Sequence, residues 1–555
     1  MEPRLAQYSG QAPVGRTFTS SFLAGDAATR AVAGSFLARD FRDPAARVAS
    51  APAAAARRID PAALEAMREQ QGRLLPSAAR EAHLRALAAG DTAAVVTGQQ
   101  VGLFLGPLYT FYKAASAIAM ARALEAESGV RCVPLFWLQT EDHDFAEIAS
   151  CQVAGGDGAP VTLALADERP EEARVSVAHR RLGPEVGSLV DALGAALAAA
   201  PAAAEVTALV RAHYVAGRRL ADAFAGLLAA LFADEGLLVF DPREARVARA
   251  AAPLYARALD RAASIEAGLR ARGAALEAAG FDEQIPVREG CALLFFHPGG
   301  AEGPRFRLRR DGQVWGLAGA GETLDDVVVR RALEADPLRL SSSALLRPLV
   351  QDALLPAAAY VGGPAEVSYF AQLGPVYDQL GLPQPLVAPR ARFRVVDAPT
   401  RRRLEQLGLA AADAERARAE LIARLAETHA GGPRPEDLRR RVADGIAPAV
   451  DALARDVTAG DPGLARAADR TRASVARALD RLLGRYANDR GARDGAAVAR
   501  LDKVLRALAP GGTPQERVYA WPSLAARHGA AALRALVLAR LAETPFPTAP
   551  LELAP

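Results

Sequence analysis

The chain has 555 residues, of which 51% are hydrophobic and 24% are charged, and its formal net charge is only +3. A chain of this length exceeds what one hydrophobic core usually serves, so we expect two or three structural units, and the small net charge gives no nucleic-acid signature. We expect a cytoplasmic protein with no membrane partner, because no apolar run has membrane length, the N-terminus is polar and three scattered cysteines form no disulfide framework.

The first 93 residues are predicted to be mostly helical and to join the core. Residues 94–148 then read as strand, Gly-rich loop, helix, strand and polar loop. In a right-handed βαβ unit both loops leave the carboxyl ends of neighbouring parallel strands, which is the sheet edge where ligands bind. We therefore expect one crevice between the two loops. Its predicted binding residues are Thr97, Gly98, Gln99, Gln100, Gly102 and Gly106 from the first loop, and its predicted catalytic residues from the second loop are Asp142, His143 and Asp144.

The helix between these loops contains Lys113, one of only two lysines in an arginine-rich chain; the other is Lys503. An ammonium is a compact point charge whose pKa can fall on burial, whereas a guanidinium is a permanent planar cation. We predict that Lys113 Nζ points into the crevice as a catalytic group that neutralises phosphate or carboxylate. Tyr109, one turn earlier, is a further predicted binding residue. The alternative is a lysine retained by chance on a helix surface.

Further along, residues 155–190 and 285–330 contain short alternating strands and are predicted to be insertions. Residues 236–242 give another buried parallel strand, which ends in Asp241. We therefore predict an α/β core over residues 94–396. The parallel strands that should lie together are those ending at Val96, Leu138, Phe240 and near Ala388.

Residues 341–393 suggest a second ligand-binding loop. AAYVGGPAEV resembles a strand, a tight glycine turn and a helix N-terminus, which can offer backbone N–H groups to an anion. Because a guanidinium fork matches a carboxylate, Arg347 and Arg390 would suit a substrate with paired carboxylates. Glycine turns also occur for packing alone. The predicted opposite wall of the crevice consists of Arg347, Gln351, Asp352, Gly362, Gly363 and Arg390.

From residue 397 to 507 apolar residues recur at spacings of three and four, which predicts a helical hairpin or coiled coil. Its many arginines are accompanied by many acids, so a solvated helical face is favoured over a polyanion site. Residues 508–555 contain aromatic residues and are predicted to pack back on the core.

The chain resembles the bacillithiol biosynthesis cysteine-adding enzymes in four strings: VVTGQQVGLFLGPLYTFYKA, TEDHDFAEI, LLRPLVQDALLPAAAYVGGPAEVSYFAQL and QERVYAWPSL. The resemblance runs from about residue 94 to the C-terminus. It implies a cysteine ligase that joins the carboxyl group of L-cysteine to the amine of glucosaminyl malate, in the last step of bacillithiol biosynthesis. It also implies an α/β fold: a Rossmann-like parallel-sheet core with connecting-peptide insertions and a C-terminal coiled coil that forms a homodimer. Tyr112 stands where family sequences often have histidine.

Amide formation from a free carboxylate needs activation, most simply by ATP, and no tightly bound cofactor is expected. The TGQQ loop and the helix after it offer N–H donors and a positive dipole end to phosphate. His143 could take the proton of the attacking amine, with Asp142 orienting its ring. Asp142 and Asp144 could hold Mg²⁺ with ATP. Alternatively, Asp144 caps the helix that starts near Phe145.

Two other classes of function stay open at this point. A nucleotide- or sugar-phosphate-dependent transferase could share the Gly-rich loop on a similar sheet. A non-catalytic coiled-coil scaffold would have lost the ionisable residues of the crevice, and the presence of Lys113 with the EDHD string argues against it. A zinc site formed by the EDHD residues alone is disfavoured, because adjacent side chains diverge.

Overall fold

The computed structural model describes residues 17–156, 158–166, 172–428 and 433–555, which belong to two compact units. The core unit extends to Arg394 and includes Glu516–Leu553, and the helical unit is Val395–Gln515. The first sixteen residues of the predicted N-terminal region, residues 157 and 167–171 of the predicted 155–190 insertion and residues 429–432 of the predicted coiled coil lie outside the described residues.

The strands are β1 (Thr92–Gln99), β2 (Arg131–Leu138), β3 (Ser150–Ala154), β4 (Pro160–Ala164), β5 (Leu238–Phe240), β6 (Cys291–Phe296), β7 (Phe306–Asp311), β8 (Val314–Leu317), β9 (Glu322–Asp325), β10 (Leu340–Ser342), β11 (Ala357–Gly362), β12 (Leu386–Pro389), β13 (Phe393–Val395) and β14 (Leu551–Leu553).

The helices up to the end of the parallel sheet are α1 (Phe18–Ala24), α2 (Ala27–Gly34), α3 (Pro44–Ala55), α4 (Pro61–Gly72), α5 (Ala78–Ala89), α6 (Tyr109–Ser128), α7 (Phe145–Ile148), α8 (Val186–Leu197), α9 (Ala203–His213), α10 (Leu220–Leu231), α11 (Ala245–Asp260), α12 (Ala262–Ala278), α13 (Asp326–Ala335), α14 (Arg347–Leu354), α15 (Pro364–Phe370) and α16 (Gly374–Leu380). The helical unit contains α17 (Ala398–Leu407), α18 (Arg418–Thr428), α19 (Pro435–Arg441), α20 (Ala447–Gly460), α21 (Ala465–Ala492) and α22 (Gly495–Leu508). The chain then returns to the core unit with α23 (Gln515–Val518), α24 (Trp521–His528) and α25 (Ala530–Glu543).

The core unit is built on a five-stranded parallel sheet with the order β12-β11-β1-β2-β5. Its central strands are buried along almost their whole length, as expected for a parallel sheet that helices cover. The predicted α/β fold and its parallel sheet are confirmed. Because all five strands run in one direction, their carboxyl ends meet at a single edge, where open α/β sheets bind ligands.

Local sequence signals explain where the flanking helices begin and end. Asp43 and Asp60 cap α3 and α4 by accepting backbone N–H bonds, and each is followed by a proline in the first helical turn. The helix α6 ends at Gly129, which adopts a left-handed conformation with φ of 71°. Most of α6 is buried because it packs against both β1 and β2, so it is apolar on nearly every side.

The described residues form two further sheets between β2 and β11, besides a short pair of β13 with β14. An antiparallel hairpin pairs β3 with β4, and a five-stranded antiparallel sheet has the order β10-β6-β7-β8-β9. The second of these sheets begins within the segment that the sequence predicts to be an insertion. None of the described helices combines the length and apolarity needed to cross a membrane.

The helical unit has an apolar interior of its own. The buried leucines at its centre come from α17, α18 and α22 and include Leu404, Leu421, Leu425 and Leu501. On the outside, large apolar side chains remain exposed on and near α20 and α21, most strongly Leu453 at 65% and Leu482 at 62%.

Candidate active site at the edge of the parallel sheet

The two loops after β1 and β2 touch each other at the carboxyl edge of the sheet. Gln100 Nε2 donates a hydrogen bond to Asp142 Oδ2 at 2.8 Å, and the backbone N–H of Gln139 donates to the Gln99 carbonyl at 3.0 Å. The structure therefore brings the TGQQ and EDHD strings into one crevice, because β1 and β2 are hydrogen-bonded neighbours with parallel direction.

An arginine that the sequence did not single out organises the second loop. Arg305 is 4% exposed and lies directly before β7. Its Nη2 donates to Asp142 Oδ1 at 2.8 Å, its Nε donates to His143 Nδ1 at 2.8 Å, and its guanidinium lies 4.2 Å from the Phe295 ring centroid. Nothing in the string PRFRLRR distinguishes this arginine from its neighbours, so only the fold identifies it.

The contact with Arg305 disfavours the predicted role of His143 as the general base. An arginine Nε–H always donates, so His143 Nδ1 must be the acceptor, and a neutral imidazole then carries its proton on Nε2. The only lone pair of the ring that could take a proton is therefore held by Arg305. Asp142 Oδ1 lies 3.6 Å from the same Nδ1, so the ring is oriented by Arg305 rather than by Asp142.

Both aspartates of the predicted magnesium site accept hydrogen bonds from protein groups. Arg305 and Gln100 hold the two carboxylate oxygens of Asp142. Burial raises the pKa of Asp142, but Arg305 and then His143 outweigh it and hold this pKa below its usual value. Asp144 accepts a hydrogen bond from the Glu147 N–H at 3.2 Å and so caps α7. This is the helix-capping role that the sequence offered as the alternative to metal binding. The described residues contain no group of three His, Cys, Asp or Glu side chains arranged for a metal ion.

Glu147, which was not among the predicted site residues, is the accessible acid of this crevice. Its side chain is exposed to solvent, yet protein surrounds it closely. Desolvation, followed by the negative charges of Asp142 and Asp144, raises its pKa to about 7, although the Gln100 amide and Lys113 act in the opposite direction. A carboxylate with this pKa can accept a proton near neutral pH.

Lys113, whose Nζ was predicted to point into the crevice, is buried and contacts the first loop of that crevice. Only 2% of it is exposed, and its Nζ donates to the Gly98 carbonyl at 2.6 Å and to Gln99 Oε1 at 2.9 Å. It also forms an ion pair with Glu366, whose second oxygen accepts from Tyr360 at 2.6 Å. Burial lowers the pKa of Lys113 to about 8, against the effect of Glu366. The lysine therefore stabilises the carboxyl end of β1 through its contacts with Gly98 and Gln99.

Two glycines of the first loop, Gly98 and Gly102, lie so close to neighbouring backbone atoms that a side chain would not fit there. A Cβ at Gly102 would overlap the Gly106 carbonyl oxygen, and one at Gly98 would lie 2.8 Å from the Trp137 carbonyl oxygen. Thr97 is likewise structural, because its hydroxyl donates to the Val361 carbonyl at 2.8 Å and joins β1 to β11.

Three of the N–H groups in the predicted phosphate cradle at the start of α6 have protein acceptors. The N–H groups of Leu108, Thr110 and Phe111 donate to backbone carbonyls at 2.7, 2.9 and 3.0 Å, so they do not face a ligand. Tyr109 lies in the same turn, and its hydroxyl accepts a long hydrogen bond of 3.4 Å from Gln99 Nε2. The start of α6 is thus satisfied by the protein itself.

The predicted second anion loop is filled by the chain's own carboxylate. Glu366 Oε2 accepts from the Gly363 N–H at 2.7 Å, so the N-terminus of α15 already has an anion. Gly362 ends β11, and its carbonyl accepts from the Arg390 N–H at 2.7 Å. Gly362 and Gly363 therefore agree with the alternative interpretation, in which the glycine turn is needed for packing and not for binding an anion.

The predicted carboxylate-binding arginines also have internal partners. Arg390 donates to both oxygens of Glu516 at 3.0 and 2.7 Å, and both side chains are at most 2% exposed. Its guanidinium lies 5.1 Å from the Tyr109 ring centroid. Arg347 Nη2 donates to the Tyr369 hydroxyl at 2.7 Å. The two arginines of this wall are held by these partners, although Arg390 Nε and Arg347 Nη1 have no partner among the described residues.

Gln351 and Asp352 do not line the crevice. Gln351 Nε2 donates to Asp352 Oδ1 at 3.0 Å, and the Tyr377 hydroxyl donates to Asp352 Oδ2 at 2.5 Å. Both side chains are buried in the core, and burial raises the pKa of Asp352 to about 7. The sequence pattern placed these residues on α14 but could not show which face of the helix meets the core.

The sheet, the crevice and the helical unit together define a Rossmann-like α/β protein with a coiled-coil region. Comparison with known families makes this specific. Residues 37–391 match the N-terminal Rossmann-like domain of bacillithiol biosynthesis BshC, and residues 393–543 match its C-terminal coiled-coil domain. The chain belongs to the BshC family of bacillithiol biosynthesis, which confirms the resemblance seen in the sequence.

Curated relatives cover most of the chain. The protein from Salinibacter ruber is 34% identical over 87% of each chain. The protein from Solibacter usitatus is 33% identical over 80% of this chain and 82% of its own, and the one from Thermus thermophilus is 33% identical over 84% and 89%. Each of these relatives bears the name "Putative cysteine ligase BshC".

Proposed function

We propose that this protein is a cytoplasmic ligase that joins the carboxyl group of L-cysteine to the amine of glucosaminyl malate, the last step in making bacillithiol. Membership of the BshC family and the name of its relatives support a cysteine ligase. The observation that carries the proposal to this chain is the crevice where Gln100 meets Asp142, because it places accessible and ionisable groups at the ligand edge of the sheet.

The reaction must supply energy and remove one proton. Joining a carboxylate to an amine formally releases water, so we propose ATP as the activating co-substrate; the oxygen lost from the cysteine carboxylate then leaves with phosphate or AMP. The start of α6 is not assigned to the nucleotide, since the N–H groups of Leu108, Thr110 and Phe111 donate to backbone carbonyls.

We assign the general base to Glu147 in place of His143. The attacking ammonium has to lose a proton before its lone pair can form the new C–N bond, and Glu147 is accessible in the crevice whereas His143 Nδ1 accepts from Arg305. In the reaction the Glu147 carboxylate takes this proton, while Arg305 and Gln100 keep Asp142 ionised beside it.

The activity is tested with the purified full-length chain. We expect L-cysteine, glucosaminyl malate and ATP together to give the amide product by mass spectrometry, and omission of ATP to abolish it. A nucleotidyl or glycosyl product would instead support a transferase. In cells, deletion of the gene should cause glucosaminyl malate to accumulate, and normal bacillithiol would contradict the proposal.

The base is tested by Glu147→Gln, with Glu334→Gln on an exposed part of α13 as a matched control. Loss of a general base typically lowers the rate by about 10²–10⁴, so kcat should fall by that range and lose its acidic limb near pH 7. The Glu334 variant should keep the rate and the pH profile of the wild type. An unchanged profile in Glu147→Gln would remove this residue from proton transfer.

We further propose that the protein is a homodimer formed through the helical unit. Leu453 and Val457 on α20, with Ile446 directly before it, are 65%, 40% and 43% exposed. At about 100° per residue they lie within an arc of about 40°, which is an apolar stripe suited to a second helix. Leu453→Glu should therefore give a monomer in light scattering, whereas Arg455→Glu, on the opposite face, should remain dimeric.

A further inference from the structure

A second group of arginines lies at the carboxyl end of β5 and has no role in the proposed proton transfer. Arg243 is 8% exposed, and its Nη2 donates to the Ala301 carbonyl at 2.5 Å and lies 3.3 Å from His297 Nε2. Its Nε and Nη1 are buried without a hydrogen-bond partner among the residues that the structure describes. Buried polar groups are nearly always paired, so these two donors need an explanation.

His179 brings another buried nitrogen to the same place. Its ring hydrogen-bonds to the backbone of Ala301, the residue that Arg243 also contacts, and Arg243 lowers its pKa after burial does. Its Nε2 also lacks a partner within the described part of the chain. Two side chains from different segments thus place three unpaired nitrogen atoms around Ala301.

The charges around these nitrogen atoms favour an additional anion. Burial lowers the pKa of Arg243 by more than Glu141 and Asp241 raise it. Arg305 behaves in the same way, because burial and the neighbouring charge of Arg243 outweigh the effects of Asp142 and Glu141. By contrast, Glu516 raises the pKa of buried Arg390 above its ordinary value. Arg305 is ion-paired with Asp142 at 2.8 Å, whereas Arg243 forms no ion pair with a carboxylate in the part of the chain that the structure describes.

Contacts connect this cluster to the crevice. His297 Nε2 lies 3.4 Å from Ser341 Oγ, and Arg305 Nη1 lies 3.5 Å from the same oxygen. Arg305 in turn holds Asp142 and His143. Since β5 and β2 are hydrogen-bonded parallel neighbours, both groups of residues stand at the same ligand edge of the sheet.

We propose that Arg243 and His179 bind an anionic oxygen group of a substrate, a carboxylate or a phosphate, next to the crevice. The inference rests on the proposed ligase for the identity of its substrates: the malate group of glucosaminyl malate carries carboxylates and ATP carries phosphates. A charge-assisted hydrogen bond to such an oxygen would satisfy the unpaired nitrogen atoms and balance the guanidinium.

Calorimetric titration of the full-length protein tests the site, with L-malate in one series and inorganic phosphate in another. The wild type should bind at least one probe, and Arg243→Met should weaken that binding at least about tenfold. Arg246→Met, on the following helix but ion-paired at the surface with Glu65 and Glu69, should bind like the wild type. Binding of malate alone would assign the site to the substrate carboxylate, and binding of phosphate alone to the nucleotide.

The proposal is overturned if the wild type binds neither probe or if Arg243→Met binds as tightly as the wild type. Should Arg243→Met fail to fold, His179→Leu and Arg243→Lys provide the same measurement, because each removes donors and keeps most of the volume. In both variants weakened binding supports the site, and unchanged binding overturns it. Turnover is not needed for these titrations, so probe binding by a protein that makes no amide would refute the ligase and leave the anion site standing.

Discussion

Buried arginines lie on both sides of the ligand edge of the sheet, but in the described part of the chain only the arginine beside β11 and β12 is ion-paired with a buried carboxylate. On the side of β11 and β12, Arg390 is enclosed with Glu516, and both residues are almost fully buried. On the side of β2 and β5, Arg243 is nearly as buried but forms no ion pair among the described residues, and both its Nε and its Nη1 lack a partner there, whereas Arg390 lacks one only at Nε. The arginine of the first wall is paired with a carboxylate of the chain itself, whereas Arg243 in the second wall has no carboxylate partner among the described residues.

The role of an arginine that follows a strand end, in substrate binding or in the fold, therefore depends on which negative charge lies next to it. The same is true of the glycine loops. Glu366 reaches back to the Gly363 N–H and to Lys113, so a loop that looks like an anion site holds the protein's own anion. A wall of this kind supports the crevice structurally, and variants in it should affect stability before they affect substrate binding.

The largest effect is expected from breaking the ion pair of the first wall. Arg390→Met removes both short hydrogen bonds from the buried Glu516 and leaves it with the longer ion pair to Arg392 at 3.5 Å, and removing one partner of a buried ion pair typically costs about 3–5 kcal/mol. We expect this loss in the free energy of unfolding measured with urea. The double variant Arg390→Met/Glu516→Gln should recover much of it, because no unpaired charge remains.

The expected result also corrects the sequence-based prediction for this position. If Arg390 bound the substrate, Arg390→Lys would raise KM for glucosaminyl malate without a change in stability. Because Arg390 makes two hydrogen bonds to Glu516, we expect Arg390→Lys to lower the stability of the protein before it changes KM for glucosaminyl malate. A stable Arg390→Lys variant with a raised KM would move this wall back into the binding site.

A second and smaller effect should appear in the pH dependence of stability. The pKa of buried Asp352 is raised from 3.8 to about 7 in the folded protein. Between these values the native state keeps a proton that the unfolded chain has released, so its stabilising contribution is complete below pH 3.8 and falls as pH rises towards 7. The slope for one proton is about 1.4 kcal/mol per pH unit. Asp352→Asn should flatten it in urea titrations from pH 4 to 7, and an unchanged slope would mean that Asp352 is ionised in the core.

The sheet was predictable because its signals are local. Continuous apolar runs ending in glycine or polar residues mark β1, β2 and β11, and a right-handed crossover then fixes their shared direction. The meeting of Gln100 and Asp142 follows from this topology without any knowledge of side-chain contacts. Asp144 as the cap of α7 was also recognisable from its place before Phe145.

The electrostatic partners could not be predicted, since they come from distant segments. Arg305 is 162 residues from His143 in sequence and lies in an inserted sheet whose position the pattern does not reveal. Glu516 reaches Arg390 from beyond the helical unit. Residue type and spacing identify groups that can ionise, but burial and the nearest opposite charge decide whether such a group binds substrate or supports the fold.

The smallest effect is expected for His143, in the loop after β2. It shows whether His143 only positions Arg305 or itself takes part in proton transfer. Because His143 Nδ1 accepts from Arg305, His143→Asn keeps an acceptor oxygen at a similar place and should preserve that contact. Loss of a general base costs about 10²–10⁴ in rate, so we expect kcat to fall by less than about tenfold if His143 only helps to position Arg305. His143→Leu, which offers no acceptor, should cost more than His143→Asn, since the Arg305 Nε–H would then be buried without a partner. Equal losses of a hundredfold or more in both variants, with an acidic limb that disappears from the pH profile, would restore His143 as the base and exclude Glu147.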